Sequence, residues 1–550
     1  MSETQPVTEN QATENHAEES EVTENHASTV RNALSRNIAA STLAQIGYMV
    51  TRFFIPPFVL AHVTLEAYGL WSAAFILVAY IGISTMGLSG VYIKYIAEYS
   101  ARREFSKANS LISTGLCVSI PACATVFACV WWFWPIVVDW LHIAPGLRAD
   151  AKEVVLLVVA VFLASMSLSV FHDALVGVQR SSTVNAIWAV SYVVETILIF
   201  TLVGMGRGIR GLAEAFLARM LVDITLSLLV SMSTIKWLRV SPLLCSREAG
   251  RILLNFGGVV QLQSLLAVTL NSIERVLAAA LVGIQATGLL EISEKLPNMA
   301  SSLAMSFLSS FVPAASYLHG GLSGTPEQRE SIRKLYIKGA RYVNLATATI
   351  CAVLVLMPGP LLAVWIGKHY EGAAYLMVIF TLAAQMNLMT GPGTSILRGI
   401  GHPTEEFHYN IPNVVALGLS VPLSYLVLGK WTVLGIGTAV AGSTIVAAIY
   451  FVMHANRLMN VTFGRYLKSV FLPGAFPYVL AALFAVPANF AATHLNRWVA
   501  GGCIAGMIGV YVVLLVLLVG RFILETGERL WFQAIIQSKL GKFLPSSPPV

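Results

Sequence analysis

Charge is what this chain has least of. Only 11% of its 550 residues are Asp, Glu, Lys or Arg, against 56% apolar, whereas a soluble domain carries about a quarter of its residues as charges. So little charge over so long a chain cannot cover a globular surface, which excludes a soluble enzyme or binding domain. Cysteine is scarce too: Cys117, Cys123, Cys129, Cys245, Cys351 and Cys503 include no C-x-x-C pair and no His/Cys cluster, so metal-ribbon and dithiol chemistry have no basis. There is no H-E-x-x-H, no G-x-S-x-G and no Walker sequence. Gly206-Arg207-Gly208-Ile209-Arg210-Gly211 spells G-x-G-x-x-G, but it joins two apolar runs, and the dinucleotide fingerprint needs a preceding strand. The reading is therefore of a protein with no catalytic residues, no metal and no resident cofactor. The formal charge of +7 lies in short clusters between apolar runs rather than on one face, which excludes nucleic acid as a partner.

What is present is hydrophobic length. Mean hydropathy is +0.72, and between residues 38 and 521 about fourteen apolar runs approach the ~20 residues that cross a bilayer. Proline inside them (Pro121, Pro392, Pro422, Pro477) is tolerated where neighbouring helices satisfy the freed backbone groups. The breaks divide Lys and Arg unevenly: 24 on one side, 7 on the other and 4 within spans. Positive-inside logic puts the basic side and both termini in the cytoplasm. Residues 1–34, with three Thr-Glu-Asn units and almost nothing apolar, form an acidic tail that is expected to be disordered. The segments 91–108 and 524–540 mix apolar and basic positions at helical spacing and are expected along the inner membrane surface. No outward break is long enough for a catalytic domain.

An internal repeat organises the spans. Ala67-Tyr68-Gly69-Leu70 follows the first run and Ala286-Thr287-Gly288-Leu289 the seventh, 219 residues later. Six runs separate the copies, so both have the same orientation, as in parallel-repeat transporters. The expected fold is an all-α polytopic membrane protein: an N-lobe over 35–251, a C-lobe over 252–468, two further helices over 469–521 and an amphipathic C-terminal tail over 522–550.

Ionisable side chains inside a membrane cost at least ~2.5–3.5 kcal/mol at a helix centre and normally face a cavity or a partner. The set is Arg52, Asp173, Glu195, Arg219, Asp223, Glu274, Arg275, Glu291, Glu294 and Lys295. Gln45, Tyr48 and Arg52 make a stripe at i, i+3 and i+7, and Asn271 falls opposite Arg52 at the repeat offset. Arg219 with Asp223, and Glu291 with Lys295, stand at i, i+4 and can neutralise each other. Arg52 has no acidic neighbour on its own helix. Glu195 has no cation nearby in sequence and reads as a lone carboxylate that binds a proton or cation, with Asp223 the second candidate. The bland reading, charges that merely tie helices together, stands beside the functional one. Asp173, next to His172, lies near the end of its span and reads as solvated, and Glu274 and Arg275 read as near the outer interface.

Glu66-Ala67-Tyr68-Gly69-Leu70-Trp71, Met86-Gly87-Leu88 and Val91-Tyr92-Ile93-Lys94-Tyr95-Ile96-Ala97-Glu98-Tyr99 resemble the bacterial polysaccharide transporter family. That family holds the O-antigen and exopolysaccharide repeat-unit flippases of the multidrug/oligosaccharidyl-lipid/polysaccharide exporter superfamily. Leu270-Asn271-Ser272-Ile273-Glu274-Arg275 is similar to the family's seventh helix, with Glu274 where Asp is common. The resemblance implies a flippase in the bacterial inner membrane. It would carry polyprenyl-pyrophosphate-linked oligosaccharide by alternating access for surface polysaccharide (O-antigen, capsule or exopolysaccharide), among membrane lipids and beside polysaccharide polymerase or export machinery. Arg52, Arg219, Arg275, Asn271 and Gln45 would bind substrate, and Glu195 and Asp223 would couple H⁺ or Na⁺. The alternatives are a multidrug or toxin exporter of the same superfamily and a membrane glycosyltransferase or polymerase.

Overall fold

A computed structural model describes residues 47–522, apart from 141–142, 144, 179, 309–310, 312–314, 316–317, 319–325, 368–369 and 371, and apart from a few side chains, chiefly at 83–88, 254–269 and 271. The acidic tail, Gln45 and the segment 524–540 lie outside the described residues. Asn271 is described in its backbone alone.

All regular structure among the described residues is helical. In chain order the helices are α1 (47–62), α2 (Leu65–Ala101), α3 (Phe105–Trp132), α4 (Trp134–Trp140), α5 (Arg148–Gly177), α6 (Ser181–Leu198), α7 (Gly208–Thr234), α8 (Arg247–Leu281) and α9 (Ile284–Leu308). They continue as α10 (Pro326–Leu356), α11 (Pro358–Ile366), α12 (Ala373–Gly399), α13 (Phe407–Leu428), α14 (Val433–Leu458), α15 (Leu472–His494) and α16 (Arg497–Phe522). Fourteen of these described helices have sixteen residues or more, and 11 contain segments long and apolar enough to cross a membrane. The chain is an all-α, multi-pass membrane protein. Burying every backbone polar group inside helices is what a hydrocarbon solvent requires.

The chain forms two compact units. The first holds Met1–Ile55, Val78–Phe133 and Glu153–Leu265, and the second Pro56–Leu77, Trp134–Lys152 and Leu266–Val550. In the first unit the core joins α2, α3, α5, α6 and α8 through residues such as Val91, Tyr92, Ile96, Leu111, Ile112, Phe171 and Leu175. This corrects the expectation of a surface helix at 91–108. Here α2 runs unbroken to Ala101, because Val91, Tyr92, Ile96 and Tyr99 are buried against neighbouring helices rather than laid on lipid. Tight packing at that point relies on Gly115, where a Cβ would strike the Tyr92 ring.

In the second unit, α10, α12 and α14 share a core built on Tyr336, Ile396, Phe451 and Tyr466. The last two helices dock on α10 through Ala352, Met357, Leu480, Ile504 and Tyr511. A polar link fixes that docking: Asn344 donates to the Val470 carbonyl at 2.9 Å, Gln385 donates to Asn344 Oδ1 at 3.0 Å, and the Tyr478 hydroxyl donates to Gln385.

The 219-residue repeat has a direct structural counterpart inside the second unit. Helices α2 and α9 begin at Leu65 and Ile284, positions one repeat apart. They cross where a Cβ on Gly69 would land on the Ile284 carbonyl oxygen, and one on Gly288 would lie 2.7 Å from the Leu65 carbonyl oxygen. Thr287 donates its hydroxyl to the Gly69 carbonyl at 2.9 Å. Gly69 and Gly288, and Ser72 and Glu291, are repeat mates that touch, which is what a two-fold relation between the copies demands beside its axis.

Candidate functional site

Three helices of the first unit bring their polar faces together. Tyr48 and Arg52 stand one turn apart on α1. Trp188, Ser191, Tyr192 and Glu195 form one face of α6, and Phe216, Arg219 and Asp223 one face of α7, which packs against α6. Arg52 Nη2 donates to Glu195 Oε2 at 2.6 Å. Arg219 Nε lies 3.5 Å from the other carboxylate oxygen. The Glu195 side chain is only 4% exposed, Arg219 11% and Arg52 23%. Glu195 is thus no lone carboxylate: it is the shared counter-ion of two arginines on two other helices. The i, i+4 partnership expected between Arg219 and Asp223 gives way to this one, and Asp223 accepts instead from Ser191 Oγ at 3.3 Å.

Aromatic rings complete the setting. Tyr48, Trp188 and Tyr192 pack with centroids 4.6–5.1 Å apart. The Arg52 guanidinium lies 5.2 Å from the centroids of both Tyr48 and Tyr192, and that of Arg219 4.7 Å from Tyr192, all within cation–π range. Two guanidiniums share the one carboxylate in contact with them, while Asp223, a turn from Arg219, is held by Ser191. Arg219 Nε is buried without a hydrogen-bond partner among the described residues. A buried, unsatisfied cationic donor favours an anion, and the planar fork of arginine suits phosphate in particular. One turn beyond Glu195 the helix relaxes into a π-turn over Ile199–Val203, a local geometry often found at functional sites.

The second unit holds a cluster in which carboxylates outnumber cations. Arg275 Nη1 is 3.1 Å from Glu291, its Nη2 3.1 Å from Glu294, and its Nε 3.2 Å from Glu294 and 3.6 Å from Glu274. Lys295 reaches Glu291 at 3.0 Å, and Ser72 donates to Glu291 at 3.3 Å. The Glu291–Lys295 pair is present as the spacing predicts. Arg275, taken as a substrate ligand, has each nitrogen within 3.2 Å of a carboxylate oxygen, and Glu274 is buried rather than interfacial. Asp173 is buried as well, accepting from Ser89 at 2.8 Å.

Sequence reasoning picked out Arg52, Arg219, Glu195 and Asp223, and the structure gathers all four. It passed over Trp188, although Trp188, Tyr192 and Glu195 at i, i+4 and i+7 mark one helix face. It passed over Glu291 and Glu294 as site residues, although Glu291, Glu294 and Lys295 at i, i+3 and i+4 carry the same kind of signal. One cluster with metal-ligand chemistry occurs among the described residues: Glu405, His408 and His454. There the two imidazole rings stack 3.9 Å apart and nearly parallel, sharing Glu405 Oε2 at 3.3 and 2.7 Å. Stacked parallel rings cannot both aim lone pairs at one ion, and here His454 hydrogen-bonds the carboxylate while His408 Nδ1 lies near it without a hydrogen bond.

Comparison with known proteins adds the following. A family model described as polysaccharide biosynthesis protein matches residues 34–319. The uncharacterized membrane protein EpsK of Bacillus subtilis (strain 168) is 23% identical over 462 residues, covering 82% of this chain and 87% of that protein. Among solved structures, the lipid II flippase MurJ in an inward closed conformation aligns with a TM-score of 0.63 at 11% identity, over 88% of this chain and 99% of its own. An inward-facing multidrug resistance MATE family transporter aligns at 0.60 with 15% identity, over 76% and 94%. At these identities the likeness is one of fold.

Proposed function

Because this chain belongs to the polysaccharide biosynthesis protein family, we propose that it is a flippase for polyprenyl-pyrophosphate-linked oligosaccharide units in a bacterial inner membrane, with both termini in the cytoplasm. The observation that carries the reading is the Arg52–Glu195–Arg219 cluster, in which two guanidiniums share one carboxylate and Arg219 Nε makes no hydrogen bond among the described residues. An anionic pyrophosphate supplies what those donors lack, and the Tyr48, Trp188 and Tyr192 rings offer apolar faces beside it for sugar. Glu195 holds the two guanidiniums apart and aimed while the site is empty. Transport by alternating access, the mode of parallel-repeat transporters, would expose the cluster to one leaflet and then the other. The fold is shared with multidrug exporters, but a buried pair of arginines is suited to anions rather than to cationic drugs.

The test is deletion in the host, with lipid-linked oligosaccharide quantified by leaflet and complementation by wild type, Arg52→Ala and Arg219→Ala. Accumulation on the cytoplasmic side with loss of surface polysaccharide is expected. Both alleles should complement poorly at wild-type expression. Unchanged lipid-linked pools in the deletion strain would overturn the proposal and point to toxin export.

A further inference from the structure

The acidic cluster of the second unit has a charge balance that needs explaining. Glu274 and Arg275 come from α8, and Glu291, Glu294 and Lys295 from α9, while α2 contributes only the Ser72 hydroxyl. Three carboxylates therefore face two cations. The other helices packed on α9 bring no compensation: α10 has no charged residue beyond Arg341, α12 none before Arg398 and α14 none before His454. One negative charge is left over in a place removed from water, where an unpaired ion is very costly. Glu294 shows where the surplus sits. Its side chain is only 9% exposed, and its Oε1 has no hydrogen-bond partner among the described residues, although Arg275 holds the other oxygen.

We infer that this cluster is a proton-binding site, in which one proton is shared between Glu294 and Glu274 and replaces the missing cation. A proton fits better than a metal ion. The guanidinium already occupies the space between the three carboxylates at 3.1–3.6 Å, and a sodium ion would need several oxygen ligands where cationic nitrogens stand. A proton needs no such room. The site is separate from the arginine pair of the first unit and does not depend on the flippase reading. In a transporter it supplies a group whose proton can leave only when the α8–α9 contact loosens.

The experiment is infrared spectroscopy of the purified full-length protein in lipid nanodiscs at neutral pH, following the C=O stretch of protonated carboxylic acids. Glu274→Gln and Glu294→Gln each remove the surplus charge, so each should abolish the band assigned to the cluster. Lys295→Met raises the surplus to two and should double it. Glu153→Gln, an exposed control, should leave it unchanged. Elution profile and thermal midpoint identify variants that fold. Persistence of the full band in both folded glutamine variants, or no increase in folded Lys295→Met, would overturn the inference. So would saturable stabilisation by sodium over potassium that Glu294→Gln eliminates, since it would make the occupant a metal ion.

Discussion

Replacing Glu195 by glutamine removes the one negative charge that two arginines share while keeping size and an acceptor oxygen. Breaking a buried pair by removing one partner costs about 3–5 kcal/mol, because the other is left desolvated and unpaired. Arg52 keeps 23% of its side-chain surface and Arg219 11%, so partial hydration puts the expected loss at the low end, about 3 kcal/mol. At ~1.4 kcal/mol per decade this is on the order of a hundredfold in the folded-to-unfolded ratio. Arg52→Gln should cost less, because Glu195 retains Arg219 at 3.5 Å. A double-mutant cycle separates the contributions. Coupling between positions 52 and 195, bonded at 2.6 Å, should exceed that between 219 and 195, where no hydrogen bond forms. The assay is reversible unfolding in mixed micelles titrated with SDS, on Glu195→Gln, each arginine variant and the doubles. Coupling below about 0.5 kcal/mol for both pairs, the level at which independent sites add, would refute the shared counter-ion.

Three further outcomes follow from packing. Gly69→Ala should push α2 from α9, because the new methyl falls on the Ile284 carbonyl; overpacking costs about 1–3 kcal/mol, and an unchanged thermal midpoint would contradict the close crossing. Gln385→Leu strands Asn344 Oδ1 and the Tyr478 hydroxyl, at about 1–3 kcal/mol for buried polar groups left unpaired. Proteolysis between α14 and α15 should accelerate in that variant, and equal cleavage rates would argue against the link. Ile96→Asp puts a charge in the core of the first unit, where Ile96 is fully buried. It should abolish monodisperse expression, whereas a surface-lying 91–108 helix would tolerate it.

How much was legible in advance divides along physical lines. Hydrophobic length alone anticipated the fourteen long helices among the described residues and their order, because a bilayer requires each crossing to satisfy its own backbone, and that demand is local in sequence. The repeat was legible from Ala67–Leu70 and Ala286–Leu289, and even its offset returns as contacts between repeat mates. The candidate residues could be named because charge in a membrane is rare. What could not be read was who pairs with whom. Spacing suggested Arg219 with Asp223 and left Glu195 alone, yet Glu195 meets Arg52 across 143 residues and Arg219 on the neighbouring helix. Local spacing lists the partners a helix could offer itself. The rotation and depth at which helices pack decide which partner is nearer, and both depend on side chains from every helix in contact. The same holds for Val91–Tyr99, whose mixed pattern fits a membrane surface or a protein core equally well until the neighbours are in place. Only the tertiary structure could show two arginines sharing one carboxylate in one unit and three carboxylates facing two cations in the other, because a charge balance is a property of a volume and the sequence has only one dimension.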